Sequence, residues 1–182
     1  TYTVSYAPGT NGAGSLTSQS FVYGNTVTLY ASAAANAGIT RTGYTIVGWS
    51  TTDLGTKNYD LNVAYGEAVS RTLYPVWSAN TYTITYMPGT YSTGATMTQT
   101  FTYGTTATLK SAADASIYTR AGYTLNSWSI NVGGSTSDYA LAGSYSAAAN
   151  ITLYPNWSGN PYSITYKAGT GALGSDLTQT FN

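Results

Sequence analysis

Apolar and polar residues alternate from the first positions of the chain: Tyr2, Val4 and Tyr6 are interleaved with Thr1, Thr3 and Ser5. Successive side chains of an extended backbone point to opposite faces, so a period of two predicts a β-strand with one buried side. Pro8-Gly9 and the glycines at 12 and 14 end it in a loop. Residues 16–23 predict a second strand, broken by Gly24-Asn25, after which Val27 and Leu29 resume the pattern. Residues 32–38 are alanine-rich and predict a short helix closed by glycine. Residues 44–49 and 72–77 predict further strands. In the last of these Leu73, Pro75 and Trp77 share one face, and Pro75 has no N–H to give a ladder, which predicts an edge strand or a bulge.

The whole pattern then recurs. Tyr2-Thr3-Val4-Ser5-Tyr6 returns as Tyr82-Thr83-Ile84-Thr85-Tyr86 and as Tyr162-Ser163-Ile164-Thr165-Tyr166, at an offset of 80 each time, and Phe21 returns as Phe101 and Phe181. Thr40-Arg41-Thr42-Gly43-Tyr44-Thr45 returns as Thr119-Arg120-Ala121-Gly122-Tyr123-Thr124, and Leu73-Tyr74-Pro75-Val76-Trp77-Ser78 as Leu153-Tyr154-Pro155-Asn156-Trp157-Ser158. Self-similarity at a fixed period is the mark of a repeat architecture. The expected organisation is repeat one over 1–80, repeat two over 81–160 and the truncated start of a third over 161–182, an internal piece of a longer array. In the second copy Ser111-Ala112-Ala113-Asp114 has the spacing of a helix cap, supporting a helix or helical turn there. Val76 becomes Asn156, so that face of the last strand is read as wet, with Leu73 and Trp77 inside. Gly43 and Gly122 are expected in turns that need positive φ. The fold class is mostly β, with α+β as the alternative.

Composition narrows the function classes. Charged residues make up 7% of the chain, six of each sign, which leaves no basic patch to displace counterions from a nucleic acid. No apolar run approaches the roughly 20 residues of a membrane span. Cysteine is absent, which removes disulfides and thiolate–metal sites. Histidine is absent too, which removes the usual general base and the commonest metal ligand. The carboxylates Asp53, Asp60, Glu67, Asp114, Asp138 and Asp176 do not recur as a pair across the copies, as a glycosidase would require. Lys57 and Lys110 occupy different places in their repeats, which speaks against an isopeptide staple. Catalysis, cofactors and metals are therefore not expected.

Residues 43–49, Gly-Tyr-Thr-Ile-Val-Gly-Trp, preceded by Thr40-Arg41 and followed by Leu73-Tyr74-Pro75-Val76-Trp77, resemble the Listeria–Bacteroides repeat family, also called the internalin B-repeat. Tyr23-Gly24 and Tyr103-Gly104 fill that family's turn. Ile46 and Leu125 stand where the family has Phe, Ser127 replaces a glycine, and Pro replaces Ala before the last Trp. The resemblance implies tandem β-grasp-like modules, each a small mixed sheet with a short helix or helical turn, in secreted bacterial surface proteins. The structural signature it points to is Tyr44, Trp49, Leu73 and Trp77, with Tyr123, Trp128, Leu153 and Trp157 in the second copy. All four tryptophans are expected in the core. Tyr30, Tyr59, Tyr65, Tyr91, Tyr118 and Tyr145 are the less regular tyrosines, expected as the exposed aromatic set.

The functional expectation is a stalk or spacer at the bacterial cell surface, with neighbouring repeats of the same chain as partners. Two alternatives stand beside it. One is a self-assembling extracellular filament, since a neutral, Tyr- and Thr-rich strand edge can pair with another copy. The other is an adhesin that binds surface glycans or proteins through Tyr-rich loops.

Overall fold

The computed structural model describes residues 1–31, 38–171 and 173–182. It is all-β: among the described residues there are strands and turns and no helix. The chain divides into two compact units. Unit 1 is Thr1–Tyr82 with Thr102–Thr105, and unit 2 is Thr83–Phe101 with Thr106–Asn182.

Unit 1 is built on four strands: an opening strand Tyr2–Tyr6, a return strand Leu16–Phe21, a signature strand Tyr44–Ser50 and a closing strand Arg71–Ala79. They form a mixed sheet in the order return, opening, closing, signature. The outer pairs are antiparallel, while the opening and closing strands, first and last in sequence, lie parallel in the middle. Two-residue strands complete the unit, Val27–Thr28 pairing Ala64–Tyr65 and Ala13–Gly14 pairing Ile39–Thr40. In unit 2 the order is Met97–Thr102, Thr81–Tyr86, Ile151–Gly159, Tyr123–Ser129 and Tyr139–Ala140. The fifth strand has a forerunner in unit 1, where Tyr59 makes a single bridge to Trp49, as Tyr139 pairs Trp128. The third copy gives a hairpin of Tyr162–Tyr166 and Leu177–Phe181.

One face of each sheet carries the core. Val4, Tyr6, Phe21, Leu29, Ile39, Ile46, Trp49, Tyr65 and Leu73 cluster in unit 1. Ile84, Tyr86, Phe101, Leu109, Tyr118, Trp128, Tyr145 and Leu153 are buried in unit 2. Tyrosines contribute rings that touch edge to face, as Tyr6 does with Trp49 and Tyr65 with Phe21, the geometry their quadrupoles prefer.

Pro75 does not lie at an edge. Its strand is central, and the proline is buried opposite Trp49. Trp49 spends its own N–H and carbonyl on Tyr59 and Asn58, so the Trp49–Pro75 pair exchanges no bonds. The missing N–H of Pro75 therefore faces the opening-strand side, where pairing has already ended at Leu73. A bulge is present beside it, on the signature strand: Ile46 faces Trp77 and Gly48 faces Val76, leaving Val47 as the extra residue. The same arrangement recurs at Trp128, Pro155 and Asn126.

The expected short helix or helical turn is found in repeat two only as a turn. In repeat one, residues 32–37 of the expected segment lie outside the described residues. In repeat two the cap forms without the helix: Asp114 Oδ2 accepts from Ser111 N–H at 3.0 Å and Ser111 Oγ accepts from Asp114 N–H at 3.3 Å. One N–H to C=O bond of helical span follows, Ala115 to Ser111, and then the spacing tightens to turns at Ser116 and Tyr118. A lone turn fixes many dihedrals for one bond and does not propagate when the next residues are needed elsewhere. Here Tyr118 is committed to the core, its hydroxyl donating to the Tyr86 carbonyl at 2.7 Å.

Candidate functional site

The signature residues fall into two groups. Trp49, Trp128, Leu73 and Leu153 are fully buried. Trp77, Trp157 and Tyr44 are half-buried, and Tyr123 is 39% exposed. Both buried indoles donate to a backbone carbonyl, Trp49 to Tyr30 at 3.0 Å and Trp128 to Lys110 at 2.9 Å. The irregular tyrosines are not an exposed set: Tyr65, Tyr118 and Tyr145 are buried, Tyr30 and Tyr59 half-buried, and Tyr91 alone of the six is exposed. Tyr65 and Tyr145 recur at the 80-residue offset, and that recurrence was the available signal for a core role. Tyr118 replaces the ring lost where Lys110 stands in place of Tyr30, each tyrosine lying against its repeat's Tyr–Trp core pair.

A recurring polar cluster is centred on Asn80, the one residue between the closing strand Arg71–Ala79 and the next opening strand Thr81–Tyr86. Its N–H donates to the Gly43 carbonyl at 2.9 Å, its Oδ1 accepts from Thr45 Oγ1 at 2.7 Å, and its carbonyl accepts from Tyr103 N–H at 2.8 Å. Asn160 repeats the first two bonds with Gly122, at 2.9 Å, and Thr124, at 2.6 Å. In the sequence, the repeat offset that Asn80 and Asn160 keep is the one signal of this cluster.

Tyr103 sits in unit 1 with this cluster, its ring edge to face with Tyr44 at 5.6 Å and against Tyr82 at 6.4 Å. Unit 1 thus includes a turn from the second sequence repeat. Gly43 has φ 76°, and a Cβ there would collide with the Tyr103 ring. Both demands require glycine. The Arg41 guanidinium lies 3.6 Å from the Tyr44 ring centroid, and Arg120 lies 3.6 Å over Tyr123 in the same way. In unit 2 a groove of about 360 Å³ opens beside Arg120, Tyr123, Leu125 and Trp157. In unit 1 a smaller one of about 170 Å³ lies beside Arg41, Pro75 and Trp77.

Each carboxylate has a local partner. Asp53 accepts from Thr10 N–H at 2.9 Å, Lys57 pairs with Asp60 at 2.6 Å, and Lys167 with Asp176 at 2.6 Å. Glu67 accepts from the Tyr59 hydroxyl at 2.6 Å and pairs with Arg71 at 2.9 Å, and the Tyr59 bond chiefly holds its carboxyl below the usual range. Asp138 accepts from the Thr136 hydroxyl at 2.5 Å and Ile130 N–H at 2.9 Å, which lower its pKa in that order. Asn58 takes the equivalent place in repeat one, accepting from Thr51 N–H at 2.9 Å. An amide serving where the other copy has an acid marks this as a loop-holding role. Burial pushes the Tyr6 hydroxyl up to about 12, and it donates to Gln19 Oε1 at 2.6 Å. Gln19 in turn donates to the Thr28 carbonyl at 2.9 Å, and Gln99 bridges Tyr86 and Thr108 likewise.

The Listeria-Bacteroides repeat domain, a domain of bacterial surface proteins, matches residues 2–76 and again residues 82–155. The chain belongs to this family. Among curated relatives, a protein of Evansella cellulosilytica inferred to be a Gly-rich membrane protein is 28% identical over 152 residues, which cover 79% of this chain and 17% of that protein. Another protein of the same organism, inferred to be a membrane protein, is 29% identical over 163 residues, covering 87% of this chain and 22% of its own length. The chain thus spans about a fifth of the length of these relatives. No solved structure gives a significant match. Among the described residues no helix is long and apolar enough to cross a membrane.

Proposed function

We propose that this chain is a structural segment of a bacterial surface protein, acting outside the cell as a stalk or spacer and not as an enzyme. Its modules are the repeats 1–80, 81–160 and 161–182, and the strand order of the first two, with first and last strands parallel in the centre, supports a β-grasp-like reading of them. The observation that carries the proposal is the Asn80 hand-over. One residue separates the closing strand from the next opening strand, and hydrogen bonds at its N–H, carbonyl and side-chain amide fix it. A chain that passes from strand to strand through pinned residues has little slack, which suits a spacer of defined reach. Carboxylates tied into loops, with no histidine or cysteine in the chain, support the non-catalytic part.

Small-angle X-ray scattering of the 182-residue chain tests this. A stalk segment gives a monomeric mass and a radius of gyration well above the ~16 Å of a compact globule of this length. A mass that grows with concentration favours the filament reading instead, and a monomer at ~16 Å overturns both. An adhesin reading has one observation of its own, the groove at Arg120, Tyr123 and Trp157, where rings meet a guanidinium that has no carboxylate partner among the described residues. A glycan array probed with the chain tests it, and absence of binding ends it.

A further inference from the structure

We infer that each unit is a tension clamp, built so that pull along the chain loads its central strand pair in shear. The opening strand Tyr2–Tyr6 and the closing strand Arg71–Ala79 are parallel neighbours, paired Val4 to Arg71, Ser5 to Thr72 and Tyr6 to Leu73. In a parallel pair, the start of one strand and the finish of the other lie at opposite ends. Tension that enters before Tyr2 and leaves after Ala79 therefore slides one strand along the other. All the bonds between them share the load and must fail together. Pulling an antiparallel hairpin from its open end breaks bonds one after another, at lower force.

Three further features fit this use. The pair is longer than its ladder: Thr3 N–H donates to Ser70 Oγ at 3.0 Å at one end, and Ala7 N–H to the Leu73 carbonyl at 2.9 Å at the other. Unit 2 has the same pair, Ile84 to Ile151 through Tyr86 to Leu153, and the same extensions. There Thr83 N–H donates to Asn150 Oδ1 at 2.8 Å and Met87 N–H to the Leu153 carbonyl at 2.9 Å. A different side chain supplies the same bond in each copy. Val4, Leu73, Ile84 and Leu153 are fully buried, so water does not reach the ladder from the core side to replace bonds as they stretch. Finally, Asn80 passes tension from the end of one closing strand to the start of the next opening strand without intervening loop.

The inference gives the stalk reading a mechanical purpose but does not depend on it, since it stands on strand direction and the bonds that extend the pair. Single-molecule force spectroscopy of the full chain tests it, and the absence of native cysteine makes introduced ones unique handles. With Thr1→Cys and Asn182→Cys, two main unfolding events are expected, each releasing about 25 nm. With Thr1→Cys and Tyr23→Cys, which opens the first hairpin from its free end, the first rupture is expected at no more than about half that force. Ser70→Ala lowers one of the two main events and leaves the other, with little change in unfolding by urea. Equal forces in the two directions overturn the clamp, as does a Ser70→Ala chain whose two events are unchanged. Neither result touches the scattering test of the stalk.

Discussion

Tyr2 faces Phe21 across the first hairpin as Tyr162 faces Phe181 across the third, and the two ladders keep one register over their first three pairs. Their burial is opposite. Val4 is 0%, Tyr6 6% and Phe21 6% exposed, whereas Ile164, Tyr166 and Phe181 are 45%, 53% and 49% exposed. The first hairpin lies beside a closing strand and shares a core with a signature strand. The third has no third signature or closing segment within these 182 residues. Pairing and register are thus local, set by alternation and turn chemistry, while burial comes from strands some 40 and 70 residues further on. An isolated two-stranded hairpin is marginal in water. The comparison locates the stability of a repeat in its second half.

The sharpest way to break the comparison is one substitution at equivalent sites. Ile84→Ala, in a fully buried position, is expected to cost ~2–5 kcal/mol. Ile164→Ala, in the exposed hairpin, is expected to cost less than ~0.5 kcal/mol. Urea unfolding of the full chain reads both. Alkaline titration comes next. The Tyr6 hydroxyl ionises near 10 in the unfolded chain and at about 12 when buried, so the stability it contributes is intact below pH 10 and is lost as pH rises through 12. The Tyr6 share of the loss is on the order of 2 kcal/mol. Burial also raises Tyr59, Tyr65, Tyr86, Tyr118 and Tyr145, so circular dichroism melts at pH 9 and pH 12 of the native chain against Tyr6→Phe isolate it.

Gly43→Ala is expected to cost about 2–3 kcal/mol, because it combines positive φ with a clash against Tyr103. Gly122→Ala, where the nearest atom to a new Cβ is the Tyr162 hydroxyl at 3.3 Å, is expected to cost only the backbone strain of ~1 kcal/mol. Equal costs would mean that Tyr103 yields freely. Trp77→Ala is expected to cost ~1–2 kcal/mol, below a fully buried tryptophan, since Trp77 is only partly buried against the core.

Much of this was legible in the sequence, and what was not has identifiable causes. Period-two runs placed the four main strands to within two residues, and the repeat offset aligned the copies. For Pro75 the missing N–H predicts an edge or a bulge in its own strand, whereas the central strand tolerates it beyond the end of its neighbour and the bulge lies on the facing strand. Ser111 and Asp114 formed their cap, but a cap does not lengthen a helix when Tyr118 is drawn into the core. Asn80, Thr45 and Gln19 carry much of the polar framework. Their bonds join residues 35 and 13 apart in sequence, a spacing invisible to any local pattern. Only their recurrence as Asn160, Thr124 and Gln99 marks them.

The stalk and the clamp share one premise: the closing strand, and not the hairpin, holds the opening strand in place. Native-state hydrogen exchange reads this directly at Val4, Ser5 and Tyr6 against Ile164, Thr165 and Tyr166. If the premise holds, protection of the first set approaches the global unfolding free energy of its unit, while the second exchanges within a few-fold of an unfolded chain. Similar protection in both sets would contradict it, because the hairpin would then be stable by itself.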